Sequence, residues 1–542
     1  MNKETKVEKD WELVALSGAI SSFFARRIEG EEGKALAKLT SELVLKAGSG
    51  ASHMRAEQAL EIFKDWSSLP AVGTEGDNQP LVRTEDGKLY FRRFFEYEKQ
   101  VAEALGKRLR RESSEESEFS GEGIFQSLDE EQARAVKTAL RRDLLLLTGG
   151  PGTGKTRTIA AILVAQLLNK PDTRIALAAP TGKAAFRMKE SVLGTMETFE
   201  LPDAIRLSLL DCSSATTLHR LLGSKLGSVD FHRNQKNPLP HDMVVVDEAS
   251  MVDLPLMSKL CASLRDESKL VLVGDADQLA PVQGGAVFNG LIKASKSEEA
   301  LSENFVRLTV NHRRADSPAA AVLGELCDAI RDGRPDEALA LAREGGECIR
   351  FVEKLDDPSV DQSIRDRFEP LAKARDPVGA LAALGNFRIL CAHNHGRYGV
   401  ANWNRRADGM LPSDELRPRP VVIGVNDYTV GLFNGDDGVA LGKRAHFGAE
   451  EGTREVARSR LPSHRLGYAS SIHRSQGSEF DTVMIVLPPA DAKLLTRELL
   501  YVAVSRAKSG IILLGDEEAL KASIERSEES CSGVFDLLKR PL

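Results

Sequence analysis

Apolar residues recur at helical spacing through the first hundred positions, at Leu13, Leu16, Ile20 and Phe23 and again at Leu36, Leu39 and Leu43. This predicts two amphipathic helices, with one strand pair around residues 80–91. Further along, the pattern changes to short, continuously apolar runs at 144–147, 175–179, 243–246 and 270–273, separated by helical stretches. Such runs suit strands buried on both faces, and their alternation with helices predicts a parallel sheet wrapped by helices. A second set follows at 388–392, 482–487 and 510–514. Between its members, residues 419–441 are richer in Val, Gly, Asn and Asp, with turn signals at Asn426-Asp427 and Asn434-Gly435, which predicts a small β insert. No internal sequence repeat is evident.

Charge sharpens the boundaries. Residues 112–122 read ESSEESEFSGE, an acidic, serine-rich stretch expected to be solvated linker, and Glu525, Glu528 and Glu529 give the tail a similar character. A chain of 542 residues exceeds what one core supports, so about three to five domains are expected. Hydrophobic residues at 42% and charged residues at 28% describe an ordinary globular balance. The net charge of -7 argues against nonspecific adhesion to nucleic acid, yet a binding groove needs only local positive charge. No apolar stretch reaches the ~18 residues that span a bilayer, and the first residues lack a signal peptide's apolar core. A cytoplasmic protein with no membrane partner is expected. The six cysteines are scattered without a C-x-x-C pair, which favours buried free thiols over disulfides or a metal site.

The decisive chemistry lies at residues 149–156, GGPGTGKT, after one apolar run and before a helical stretch. Gly149, Gly150, Gly152 and Gly154, with Pro151 and Thr153 between them, let backbone approach a polyphosphate and aim N–H groups at it. Lys155 adds a charge and Thr156 a hydroxyl for Mg²⁺. ATP or GTP binding follows. Residues 244–250, VVVDEAS, put Asp247 and Glu248 at the tip of a buried strand, where Asp247 can hold Mg²⁺ through its water shell and Glu248 can polarise the attacking water. In residues 272–282, LVGDADQLAPV, Gln278 offers an amide for the γ-phosphate or that water; the alternative is a β-turn closed by Gly274 and Asp275.

With this third element the chain resembles superfamily 1 helicases, and further motifs of that family appear in order. They are APTGKAA at 179–185, TTLHRLL at 216–222, LTVNHR at 308–313, ASSIHRSQGSEF at 469–480 and LYVAVSRAK at 500–508. The set covers roughly residues 128–515. The resemblance implies an α/β protein with two RecA-like P-loop motor domains and ATP between them. Arg313 and Arg506 would then be arginine fingers, permanently charged groups that stabilise charge developing on the γ-phosphate. Gln132, in LDEEQ at 128–132, resembles the family's adenine-reading element; a plain helix-start glutamine is the alternative. Nucleic-acid contacts are expected on the opposite rim, where Thr181, Lys183, Thr217, His219, His473 and Ser475 supply donors suited to phosphates. Aromatic content of 5% does not advertise extensive base stacking.

The phrases GKAAFRMKES, DEASMVDLPLM, GDADQLAPVQGGAVF and GLFNGDDGVAL look like the RecD family, which includes the alpha subunit of exodeoxyribonuclease V. That resemblance implies 5′→3′ translocation on single-stranded DNA and duplex ends, an SH3-like insert at about 415–465, and RecB-like and RecC-like partner subunits. Residues 1–118 would form a mainly helical subunit-docking domain, 119–308 the first motor domain and 309–542 the second. Residues 223–241 would form a short excursion from the first motor domain. A stand-alone RecD-like helicase remains the alternative, although residues 80–82, 89–93 and 97–98 look more like the docking domain. A non-translocating P-loop switch would keep the phosphate loop but has no need of the motifs beginning at 179, 216 and 469. A nuclease reading lacks an acidic cluster with a lysine outside the motor, so any cutting centre would belong to a partner.

Overall fold

The computed structural model describes residues 8–48, 50–111, 125–196, 201–212, 215–225, 227–279, 281, 284–296, 298–315, 317–412, 414, 417–427, 429–448, 452–527 and 532–540. The acidic stretch 112–122 lies outside the described residues, as do Ala280, Val282 and Cys531. The chain divides into two compact units, Met1–Val310 with Glu529–Leu542, and Asn311–Glu528.

The first unit begins with the helix pair Glu8–Ala25 and Gly30–Gly48. Strands β1 (His53–Arg55), β2 (Val72–Gly73), β3 (Leu81–Arg83) and β4 (Lys88–Phe91) follow, in sheet order β1-β4-β3-β2. Leu36, Leu39, Met54, Trp66, Leu81 and Leu89 fill a small core between helix and sheet. The anticipated strand pair is therefore real, but it belongs to a four-stranded sheet.

The larger sheet of this unit contains β5 (Leu144–Gly149), β6 (Ile175–Ala179), β7 (Thr216–Thr217), β8 (Met243–Val246), β9 (Lys269–Gly274) and β10 (Phe305–Leu308), in the order β10-β5-β9-β8-β6-β7. Every pairing is parallel. Alternate residues feed two cores, as strand geometry requires. Leu145, Leu147, Val245 and Val271 join the core beneath helices Glu130–Arg141 and Lys155–Asn169. Leu144, Leu146, Val244 and Leu270 join the core on the other face. The helix Lys155–Asn169 is buried continuously from Thr158 to Leu167, so its lack of a polar stripe reflects enclosure on all sides.

The second face revises the sequence-based boundaries. Val101, Ala102 and Leu105, from helix Arg92–Leu109, sit in the same core as Val244, Leu254 and Met257. Buried Arg108 donates from Nε to the Ser268 carbonyl at 3.0 Å and from Nη2 to the Arg265 carbonyl at 2.6 Å. A break at residue 118 would separate this helix from the core it completes. The far end of the chain also returns: Val534 enters the same core, and the Gly533 N–H donates to Glu98 Oε1 at 2.7 Å. Lys88 pairs with Asp536, and Arg540 Nη1 reaches both Glu75 oxygens at 2.6 and 2.7 Å. Burial pushes the Glu98 carboxyl above its usual range and lowers the nearby His53 imidazole from 6.5 to about 4. Residues 532–540 thus pack with the first unit, whereas the sequence-based division assigned 309–542 to one domain.

The second unit contains β11 (Ile349–Val352), β12 (Phe387–Cys391), β13 (Arg419–Ile423), β14 (Asp437–Leu441), β15 (Arg444–Gly448), β16 (Thr453–Ala457), β17 (His464–Leu466), β18 (Ala469–Ser471), β19 (Phe480–Val486) and β20 (Ala507–Leu514). One sheet is parallel throughout, in the order β11-β20-β19-β12-β18. The other is antiparallel, in the order β16-β15-β14-β13-β17, around Val421, Ile423, Ala445 and Phe447. Cys261, Cys327, Cys348 and Cys391 are not joined in disulfides. No helix among the described residues is long and apolar enough to cross a membrane.

Candidate nucleotide and nucleic-acid site

The phosphate loop leaves the C-terminal end of β5 and opens the helix Lys155–Asn169. Gly152 and Gly154 have φ of 79° and 81°, a region that penalises a Cβ. Lys155 Nζ folds back and donates to the Gly149 and Gly150 carbonyls at 2.6 and 3.0 Å. Thr153 Oγ1 closes the same turn by donating to the Gly150 carbonyl at 2.8 Å. Loop, lysine and helix N-terminus therefore offer clustered positive potential to an anion.

The strand order puts three chemical groups at neighbouring C-terminal ends: Lys155 after β5, Asp275 after β9 and Asp247 after β8. Asp275 is buried and Asp247 half-buried, and loss of hydration pushes both carboxyls upward; Glu248 adds to the shift at Asp247, while Lys155 opposes it at both. Glu248 has φ 52° and is the sole non-glycine residue with positive φ among the described residues. Its N–H donates to Asp247 Oδ1 at 2.8 Å, and its buried Oε2 has no hydrogen-bond partner. Holding a glutamate there costs on the order of 1–3 kcal/mol, and strain of this kind concentrates where a side chain must be aimed.

Gln278 Nε2 donates to Asp275 Oδ2 at 3.1 Å, and its buried Oε1 is without a hydrogen-bond partner. Thr148 Oγ1 accepts from the Ala276 N–H at 3.0 Å, tying this loop to β5. Asn289 Nδ2 reaches the Ala276 and Gln278 carbonyls at 3.3 and 3.4 Å. Sequence reasoning named Asp275 only in the alternative β-turn and missed Thr148 and Asn289. The GD pair signals Asp275, whereas nothing in the linear pattern signals the other two. Gln132 is buried and takes part in a capping box, its N–H donating to Asp129 Oδ1 at 2.8 Å.

The candidate nucleic-acid residues of the first unit stand on the same C-terminal edge as the phosphate loop, displaced sideways, and not on an opposite rim. β6 and β7 pair at Ala179↔Thr217, which brings Thr217 beside the strand end that leads into Thr181 and Lys183. Thr181 and Thr217 each cap a helix, accepting at 3.2 Å from the Ala184 and Arg220 N–H groups. His219 is exposed, with its ring 5.7 Å from that of Phe231.

In the second unit, His473 occupies the short turn after β18. Ser475 departs from expectation: it is 2% exposed and donates to the Ile472 carbonyl at 2.7 Å, so it shapes the turn and presents no hydroxyl to a ligand. Arg313 Nη2 donates to Glu479 Oε1 at 2.7 Å. Arg506 is buried, with Nη1 donating to the Ser478 carbonyl at 3.1 Å and Nη2 to Ser505 Oγ at 2.9 Å.

Family models match this chain as an AAA domain over residues 132–284 and as a UvrD-like helicase C-terminal domain over residues 466–514. The RecBCD enzyme subunit RecD of Mycobacterium tuberculosis is 40% identical over 497 residues, covering 87% of this chain and 84% of that protein. The chain belongs to the RecD family. The RecBCD subunit RecD of Haemophilus influenzae is 31% identical, covering 84% of this chain and 80% of that protein. The ATP-dependent RecD2 DNA helicase of Deinococcus radiodurans is also 31% identical, covering 84% of this chain and 59% of that protein. This RecD-family chain is accordingly an ATP-dependent DNA helicase of superfamily 1, with its phosphate loop inside the matched AAA domain.

Proposed function

We propose that this chain is a 5′→3′ DNA helicase that works in the cytoplasm as the alpha subunit of a RecBCD-type exonuclease in double-strand-break repair. Its partners would be RecB-like and RecC-like subunits, single-stranded DNA and duplex ends. The chain spans 84% and 80% of two RecBCD subunits but only 59% of RecD2, which favours the subunit role. The observation that carries the motor reading is the row of Lys155, Asp275 and Asp247 on three adjacent strand ends, with Glu248 strained beside them.

Within that reading Gln132 meets adenine and residues 149–156 cradle the phosphates. Glu248 and Gln278 act on the attacking water, and Arg313 and Arg506 supply charge to the γ-phosphate. The half-buried Asp247–Glu248 pair fits a divalent cation, which would relieve the desolvation that raises the Asp247 carboxyl. Mg²⁺ commonly takes only one or two protein ligands beside phosphate oxygens, and Thr156 and Asp247 would be those ligands. The cation supplies charge neutralisation on the phosphates. Thr181, Lys183, Thr217, His219 and His473 hold the DNA backbone. The two parallel sheets are RecA-like motor folds, the antiparallel sheet is the SH3-like insert, and the N-terminal region docks the partners.

Unwinding of partial duplexes with either a 5′ or a 3′ tail tests polarity. A 5′-tail requirement, with activity falling steeply as salt rises, is expected because phosphate contacts release counterions; strict dependence on a 3′ tail would overturn it. The native mass of the assembly purified from its own cell tests the partnership.

A further inference from the structure

Arg313 and Arg506 are far apart in sequence, yet both rest on one dipeptide. Arg506 is 4% exposed and commits three of its five N–H donors inside the fold: Nε donates to the Val502 carbonyl at 3.1 Å, Nη1 to the Ser478 carbonyl at 3.1 Å and Nη2 to Ser505 Oγ at 2.9 Å. The Arg506 carbonyl also accepts from the Phe480 N–H at 2.9 Å. Arg313 is held differently. Its side chain is 29% exposed and is tied through Nη2 to Glu479 Oε1 at 2.7 Å, a charge-assisted bond. A guanidinium carries five N–H donors in a rigid planar fork, so fixing one nitrogen fixes the direction of the others. The backbone of Arg313 is set by the turn His312–Ala315, which packs on the helix Pro318–Arg331. Its side chain needs a second anchor, and Glu479 provides it.

We propose that Glu479 is a positioning residue for ATP hydrolysis: it grips Arg313 by one nitrogen and so sets the direction in which the remaining donors meet the γ-phosphate. The proposal rests on Arg313 acting as an arginine finger. Glu479 touches no reacting atom. Segment 478–480 thereby registers the Arg313 side chain and both the side chain and the carbonyl of Arg506. It begins five residues after His473, a candidate DNA contact, so a shift of this turn on DNA binding would reach both arginines through five residues of chain.

Steady-state ATPase of the full chain with single-stranded DNA tests this. Glu479→Ala should lower kcat on the order of 10- to 10²-fold, the scale of a misaimed group, with KM nearly unchanged. Glu479→Gln, which keeps the acceptor, should recover most of the loss. Arg313→Ala should cost about 10²–10³-fold, and adding Glu479→Ala to it should cost nothing more. Equal losses from Glu479→Ala with and without Arg313 would overturn the positioning role while leaving the finger intact. An Arg313→Ala protein with parental turnover would remove the finger and the positioning role together. Unchanged thermal melting of Glu479→Gln excludes misfolding as the cause.

Discussion

Leu105→Ala asks to which body the helix Arg92–Leu109 belongs. Leu105 is fully buried among side chains of β5, β8 and β9, in a core shared with Val244 and Leu270. Truncation removes three carbons and leaves a cavity between helix and sheet that neither can collapse into. The expected cost is about 2–5 kcal/mol. A domain is typically stable by about 5–15 kcal/mol, so on the order of a third of the margin goes with one side chain. Differential scanning calorimetry, run beside ATPase measured after graded heating, reads the result. The midpoint assigned to the phosphate-loop unit should fall on the order of 5 °C, and ATPase should be lost at the same lowered temperature. Deleting residues 1–118 removes Val101, Ala102 and Leu105 together and should yield aggregated protein without DNA-stimulated ATPase. If Leu105→Ala left the ATPase midpoint unmoved and only made the N-terminal sheet easier to digest, the helix would be part of a detachable module and the shared core would be refuted.

Lys155→Ala should abolish ATP turnover with the fold retained, and a folded variant hydrolysing near the parental rate would remove the phosphate-loop assignment. Gln278→Ala should depress DNA-stimulated hydrolysis by roughly 10²–10³-fold while nucleotide binding suffers much less, and equal losses would make Gln278 a ground-state contact. Leu16→Glu with Phe23→Glu, at exposed positions seven residues apart on the first helix, should leave melting and ATPase unchanged and prevent co-purification with partner subunits; normal assembly would move the docking face elsewhere. His53 is depressed to about 4 by burial and by Lys88, so the unfolded chain takes up its proton first as pH falls below 6.5. Stability from this residue is full above pH 6.5 and falls by roughly 3 kcal/mol by pH 4; urea unfolding of His53→Phe should lack that component.

What the linear pattern revealed depended on how local the cause was. All seven anticipated core strands occur, because a strand enclosed on both faces must be apolar at every position. β7, β11 and β18 escaped notice since each is only two to four residues long and lies at a sheet edge. β10 also lies at an edge, and its Leu308 was read only as the start of a motif. The phosphate loop and Asp247-Glu248 were legible because backbone geometry ties their chemistry to fixed spacing. Asn289 and Thr148 were not, since they reach the site through tertiary hydrogen bonds that no spacing encodes. Ser475 was misjudged because a hydroxyl reads alike whether it faces a phosphate or a carbonyl three residues earlier in its own turn. The acidic run at 112–122 gave no hint that the helix before it shares a core with the parallel sheet: charge marks where chain can be solvated, whereas Val101 and Leu105 pack with Val244 and Leu270.

The return of residues 532–540 to the first unit also fixes an order of events at the ribosome. Val534, Phe535 and Leu537 are synthesised after the whole of Asn311–Glu528, yet they complete apolar surfaces presented by strands and helices made far earlier. At about 5–20 residues per second, the nascent first unit waits on the order of ten to forty seconds with that surface open and with Glu98 lacking the Gly533 N–H. During this interval it is the species most exposed to chaperones and to wrong partners. Only once residues 533–537 have been made can the phosphate-loop unit reach its full stability.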